Sequence, residues 1–310
     1  MVEKPVARLV ACLFVSVYVC AAASERCRAG TPKAVLPPAA SPACPGSLAE
    51  ALAWSRHSDP GDRRVAISYC DDNPSPSAVR LVARMVADED ATVSNEATGI
   101  LVNFVTGWGG SIHYTAGQLG QYGGAVMAKS LIVRLRRDAD DDAAVQLLSC
   151  VSDQPEVRRF LAKFRSHPGV VHFDVWAPSD TEISVPFATD FALAQGGDGL
   201  AMKRIQAALR QGRLEDWVFL ARSLWCVRNR QMLQLMLEFA WDTRDTREVP
   251  GQCPLCYYIV DELNLELLAK GRAEIAGVPA GPSDELSRQQ FQRLVQGIRA
   301  FIQKLPAIRP

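Results

Sequence analysis

The sequence predicts an all-α protein, and three observations carry that prediction. Apolar residues recur at i, i+3 and i+4 in segment after segment, strict period-two alternation is rare, and acidic turns fall between the apolar stretches. With 310 residues, 48% hydrophobic and 22% charged, the chain has apolar material for one large or two small domains, and disordered or collagen-like classes are excluded. Lys plus Arg and Asp plus Glu number 34 each, so bulk charge gives no ground for nucleic acid or an anionic membrane as partner.

Taken in order, Lys4 and Arg8 precede an apolar run from Leu9 to Val19 and then Ala21, Ala22 and Ala23, the three parts of a secretory signal. Residues 1–23 are therefore expected to leave by cleavage after Ala23, which makes the mature chain periplasmic or secreted. The run is short of a bilayer span, and no later segment is long and apolar enough to be one. A lipoprotein through Cys20 is the alternative, although Val19 stands where such signals want a small residue. Residues 24–46 hold Pro32, Pro37, Pro38, Pro42 and Pro45 among Ala and Ser, a composition that favours an extended linker. Residues 47–310 are then the α-helical domain.

From Leu48, from Val79 and from Val145, an apolar helix, an acidic turn and a second apolar helix follow one another. Asp59 with Arg64, Asp88 with Val93, and Asp153 with Val157 and Arg158 hold comparable places. The step from Asp90 to Asp153 is near twice that from Asp59 to Asp90. Over about 120 residues this resembles the HEAT and armadillo class of α-helical repeats. The resemblance implies an open or partly closed helical array, with an irregular helical bundle as the rival, and an Asp in each turn capping the second helix. Residues 199–242 read as more helices of the same packing type.

Two stretches interrupt the pattern. Gly107, Gly109, Gly110, Gly117, Gly120, Gly123 and Gly124 fall within 18 residues beside Trp108, His113, Tyr114 and Tyr122, which predicts a long loop instead of a helix. Long loops with exposed aromatics are efficient contact surfaces, so these four aromatic and imidazole side chains are the candidate partner-binding residues. The segment from Val170 to Thr189 alternates, with Pro178 and Ser179 at a turn, and predicts a small hairpin protruding from the helices. Further on, a helix is expected over 256–270 with Val260, Leu263, Leu267 and Leu268 as its stripe and Lys270 and Gly271 ending it. In the last helix Phe291, Leu294, Val295, Ile298, Phe301, Ile302 and Leu305 share a face, with Ser283, Asp284 and Glu285 as its cap.

Motifs for chemistry are sparse. Once the signal is gone, Cys27, Cys44, Cys70, Cys150, Cys226, Cys253 and Cys256 remain, an odd number that would act mainly as structural staples in an oxidising compartment. Cys253 and Cys256 form CPLC, the spacing of a thiol–disulfide pair, but no βαβ pattern surrounds them and no second pair completes a zinc site. His57, His113, His167 and His172 form no HExxH motif, and no G-x-S-x-G elbow, P-loop or dinucleotide fingerprint occurs. The run from Asp138 to Asp142 lacks the Gly and terminal Glu of a calcium loop and sits, with Arg134, Arg136 and Arg137 before it, where helix dipoles favour those charges. No cofactor, metal or catalytic residue is assigned. The sequence is thus read as an exported, non-enzymatic helical-repeat protein that binds a protein partner in the cell envelope, as scaffold or inhibitor. The alternatives are an envelope hydrolase assembled around His113 or His172, where His172 and Asp174 share a strand face, and a thiol–disulfide protein acting through Cys253 and Cys256.

Overall fold

The computed structural model describes residues 44–106, 113–173, 181–211, 213–240, 254–269, 272–279 and 281–305. Within them thirteen α-helices pack against one another around one two-stranded sheet, an all-α architecture. The first eight helices are α1 (Leu48–Trp54), α2 (Pro60–Asp72), α3 (Pro76–Met85), α4 (Ala91–Thr106), α5 (Ala116–Arg137), α6 (Asp142–Ser149), α7 (Pro155–Phe164) and α8 (Val185–Gln195). They alternate between two layers. The odd helices touch in succession from α1 to α7, the even ones from α2 to α8, and each odd helix packs on the even helix after it. This is the contact pattern of stacked helical pairs, in which each pair buries its apolar stripe only against its neighbours.

Local sequence sets each boundary. Asp59, Asp90 and Asp141 accept backbone N–H bonds at the starts of α2, α4 and α6, while Ser47, Ser75 and Thr115 do the same for α1, α3 and α5. Arginines then join the pairs across their turns. Arg63 of α2 grips both carboxylate oxygens of Asp88 at 2.8 and 2.9 Å and donates to the carbonyls of His57 and Ser58. Arg134 of α5 pairs with Asp141 and reaches Ser94 and Asn95 on α4, and Arg137 donates to the carbonyls of Ala87 and Asp88. With Arg63 and Asp88 largely removed from solvent, such pairs fix register as well as charge.

Two expectations about the repeat region are corrected by the structure. The glycine-rich stretch is not one long loop: residues 107–112 lie outside the described residues, but Gly117, Gly120, Gly123 and Gly124 belong to α5. Gly120 is needed for close approach, since a Cβ there would overlap the carbonyl oxygen of Cys150 and lie 2.9 Å from its carbon. Gly124, at φ +50°, breaks the helix internally. Recovering α5 shifts the pairing by one helix. The third pair is α5–α6 with Asp141 in its turn, so Asp153 lies in the connection from α6 to α7, at a different kind of turn from Asp59 and Asp90.

The hairpin is present, with β1 (Val170–Phe173) antiparallel to β2 (Thr181–Ser184) and Val171 opposite Ile183. Its Pro178–Ser179 turn lies outside the described residues. It is docked, not protruding, because Val171 and Ile183 are fully buried, and the chain becomes helical at Val185. Every residue of α8 except Pro186 is buried. Asp190, 4% exposed within it, is held by Arg165 and Arg204 at 2.9 and 2.7 Å.

Beyond α8 come α9 (Gly199–Gln211), α10 (Leu214–Arg222), a 3-10 turn at Leu224–Cys226, α11 (Arg230–Ala240), α12 (Leu255–Ala269) and α13 (Arg288–Lys304). α9 lies on α8, α10 on α12, and α11 on both α12 and α13. The stripe of α13 is buried at Phe291, Leu294, Val295, Ile298 and Ile302, but its cap is Ser287, in a capping box with Gln290. Ser283, Asp284 and Glu285, expected as the cap, form a separate 3-10 turn docked on α12. Lys270 and Gly271, the expected end of α12, lie outside the described residues.

The cysteines were expected to act mainly as structural staples. Among the described residues no disulfide forms. Cys44 is exposed, whereas Cys70 on α2, Cys150 just after α6, Cys226 in the 3-10 turn and Cys256 on α12 are buried. Cys27 and Cys253 lie outside the described residues. No described helix is long and apolar enough to cross a membrane.

Candidate functional site

Of the four expected contact residues, three come together at the start of α5; Trp108 lies outside the described residues. The base of the cluster is Phe104, buried near the end of α4. Its carbonyl accepts the N–H groups of both His113 and Tyr114 at 3.0 Å, so the chain leaving α4 is returned to the point it left. Thr115 and Gln118 then close a capping box and start α5.

This geometry sets rings edge to face. His113 meets Phe104 at 6.0 Å between centroids, Tyr114 meets Phe104 at 5.8 Å, and Tyr122, two turns into α5, meets Tyr114 at 5.3 Å. His113 is exposed and the two tyrosines are half-buried, so the cluster offers one face to solvent. The Tyr122 carbonyl, just before the break at Gly124, accepts Nε–H of Arg80 from α3 at 3.1 Å, which ties the cluster to the preceding pair.

One acid, Asp71, stands beside the His113 imidazole. Asp71 and Asp72 occupy the last turn of α2, the end at which a helix dipole disfavours negative charge. Burial pushes the Asp71 carboxyl up, helped by Asp72 and opposed by the nearby His113 imidazole. Burial and the neighbouring Tyr122 likewise raise the Tyr114 hydroxyl. The site is therefore aromatic and acidic, with hydroxyl and imidazole groups able to hydrogen-bond. It suits contact with a cationic or aromatic group of a partner.

The other histidines do not build a catalytic constellation among the described residues. His57 stacks on Trp54 and bonds Asp62 at 3.0 Å on an exposed surface. The ring of His167 accepts the Gly169 N–H through Nδ1. His172 pairs through its strand with Glu182, and its expected partner Asp174 lies outside the described residues. Cys256 is buried in the first turn of α12, and its CPLC mate Cys253 also lies outside them. No group of three or more His, Cys, Asp or Glu side chains converges as a metal site among the described residues.

Sequence reasoning missed Phe104, Asp71 and Arg80. Only Asp71 had a signal: two acids before Asn73 and Pro74 stand where a helix end prefers cations. Phe104 and Arg80 reach the site through packing that no local pattern announces.

No protein-family model matches the chain, and neither a curated protein nor a solved structure is significantly similar to it.

Proposed function

We propose that this is an exported, non-enzymatic helical-repeat protein of the HEAT and armadillo type that binds a protein partner in the cell envelope, as a scaffold or an inhibitor. The observation that carries this reading is the cluster of exposed His113 with half-buried Tyr114 and Tyr122, fixed by Phe104 and bordered by Asp71. Rigid aromatic anchors with a polar rim suit a protein contact, and the two-layer helical array holds them without needing mobile loops. Export rests on the residues 4–23 pattern.

The test is capture of partners by the mature chain, residues 24–310, from its native envelope, beside a His113→Ala, Tyr122→Ala variant whose melting is checked first. A stoichiometric protein held by the first bait and lost from the folded variant supports the reading. The same protein on both baits removes the cluster from the contact, and an empty result on both removes the binding role. Processing after Ala23 is checked by N-terminal sequencing of the protein recovered from the envelope fraction.

A further inference from the structure

The opposite end of α5 carries a second surface, of different character. An open recess of about 480 Å³ is lined by Arg136 of α5 and by Phe160, Lys163, Phe164, Ser166, His167 and Pro168 of α7 and the residues after it. Its floor is a ladder of rings: Phe160 stacks on Phe164 at 5.2 Å, and Phe164 on His167 at 5.7 Å. The guanidinium of Arg136 lies 6.0 Å over the Phe160 ring. Because Nδ1 of neutral His167 accepts the Gly169 N–H, its proton sits on Nε2, which leaves a donor on that ring.

Charge decides what the recess suits. Arg136 and Lys163 are exposed, and neither makes an ion pair with a described residue. Other arginines of this array do find carboxylates: Arg63 has Asp88, Arg134 has Asp141, Arg165 and Arg204 have Asp190. Asp140 lies against Gly169, its Oδ1 3.2 Å from where a Cβ there would stand. A ring ladder flanked by two cations that pair with no described carboxylate complements a carboxylate placed beside an apolar side chain.

We infer that this recess is a second contact site, for a segment of a partner protein that carries Asp or Glu next to an aromatic or branched apolar residue. It stands apart from the His113 cluster and does not depend on it. The volume falls in the range of sites that seat one or two side chains, and the open rim suits a surface peptide. Aromatic stacking would supply contact area, and the two cations would supply orientation and rate.

The experiment uses the mature full chain and three labelled peptides of equal length, followed by fluorescence anisotropy at low and physiological salt. The first alternates Glu with Leu and Trp, the second replaces each Glu by Lys, and the third replaces each apolar residue by Ser. Saturable binding of the first alone, weakened at least about tenfold by Arg136→Glu with Lys163→Glu, supports the site. Both changes are at exposed positions, so folding is retained, and Phe164→Leu tests the ladder without emptying it. The His113→Ala, Tyr122→Ala variant must bind the acidic peptide as the unchanged chain does, which separates failure here from failure of the cluster. Four results overturn the inference: no saturation at millimolar peptide, equal binding of the Lys peptide, no effect of the charge reversal, or full occupation of the recess by something else. That last result would be read as charge-dependent self-association in sedimentation, or as peptide-blocking binding to phosphatidylglycerol vesicles.

Discussion

Asp261 shows how one side chain can tie stability to pH in this fold. Its carboxylate on α12 accepts the Ser283 N–H at 3.0 Å and so docks the 3-10 turn before α13. Burial nonetheless dominates and pushes the group up to about 6, with Asp284 and Glu262 adding repulsion. A carboxyl whose folded value exceeds its unfolded one favours the folded state when protonated. The contribution is therefore full below the unfolded value near 4 and is lost as pH rises through about 6. Asp261→Asn keeps an oxygen to accept from Ser283 and removes the buried charge. It is expected to stabilise the protein by about 1 kcal/mol at neutral pH, allowing for solvent screening, and by nothing below pH about 4. Urea unfolding of both proteins across that range measures this, and a gain that grows toward acid would contradict it.

At the scale of elements, α5 teaches most, because its composition argues against the helix it forms. Gly117, Gly120, Gly123 and Gly124 lower helix propensity, yet packing overrides propensity where backbones must meet. The Gly120→Ala variant puts a methyl group into the Cys150 carbonyl, and backbone on both sides cannot yield cheaply. A loss of about 2 kcal/mol or more is expected. Gly99, on the exposed face of α4, has nothing within 4 Å of a Cβ, so Gly99→Ala is expected to gain about 0.5 to 1 kcal/mol. Thermal melts of the pair read the contrast directly, and equal effects would mean that α5 does not approach Cys150 so closely. This also explains what sequence could and could not reveal. The stripe of α13 and the Asp59 cap of α2 were legible because they are local patterns, whereas α4 is capped by Asp90 and not by the expected Asp88, which accepts from Arg63 instead. The α5–α6 pairing was not legible, because Gly120 answers to Cys150, thirty residues away. His113, Tyr114 and Tyr122 were legible as a group by composition, but Phe104, which orders them, looks like any other core residue.

For the whole molecule, the alternating layers carry a thermodynamic consequence. In an array whose pairs touch only neighbours, a broken link should open the pair beside it and leave distant pairs closed. The α1–α2 pair is the first of the described array and is bound to the next by Arg63 and Asp88, with the Arg63 and Asp88 side chains only 7% and 11% exposed. By contrast α8 is buried on all sides, between α6, α7, α9 and both strands. Asp88→Ala leaves Arg63 buried without its carboxylate, a change that typically costs about 3 to 5 kcal/mol. Arg64→Ala removes only the partly exposed pair with Glu96 and is expected to cost under about 1 kcal/mol. Native-state hydrogen exchange gives the spatial reading that a melt cannot. With Asp88→Ala, amides of α1 and α2 are expected to exchange on the order of a hundredfold faster, while those of α8 stay near their original protection. Loss of protection in α8 to the same degree would show one cooperative unit, in which the pairs stack but do not unfold separately. Either way the Arg63–Asp88 link is the place to cut, because it joins adjacent pairs through two side chains and little else that is polar and shielded from water.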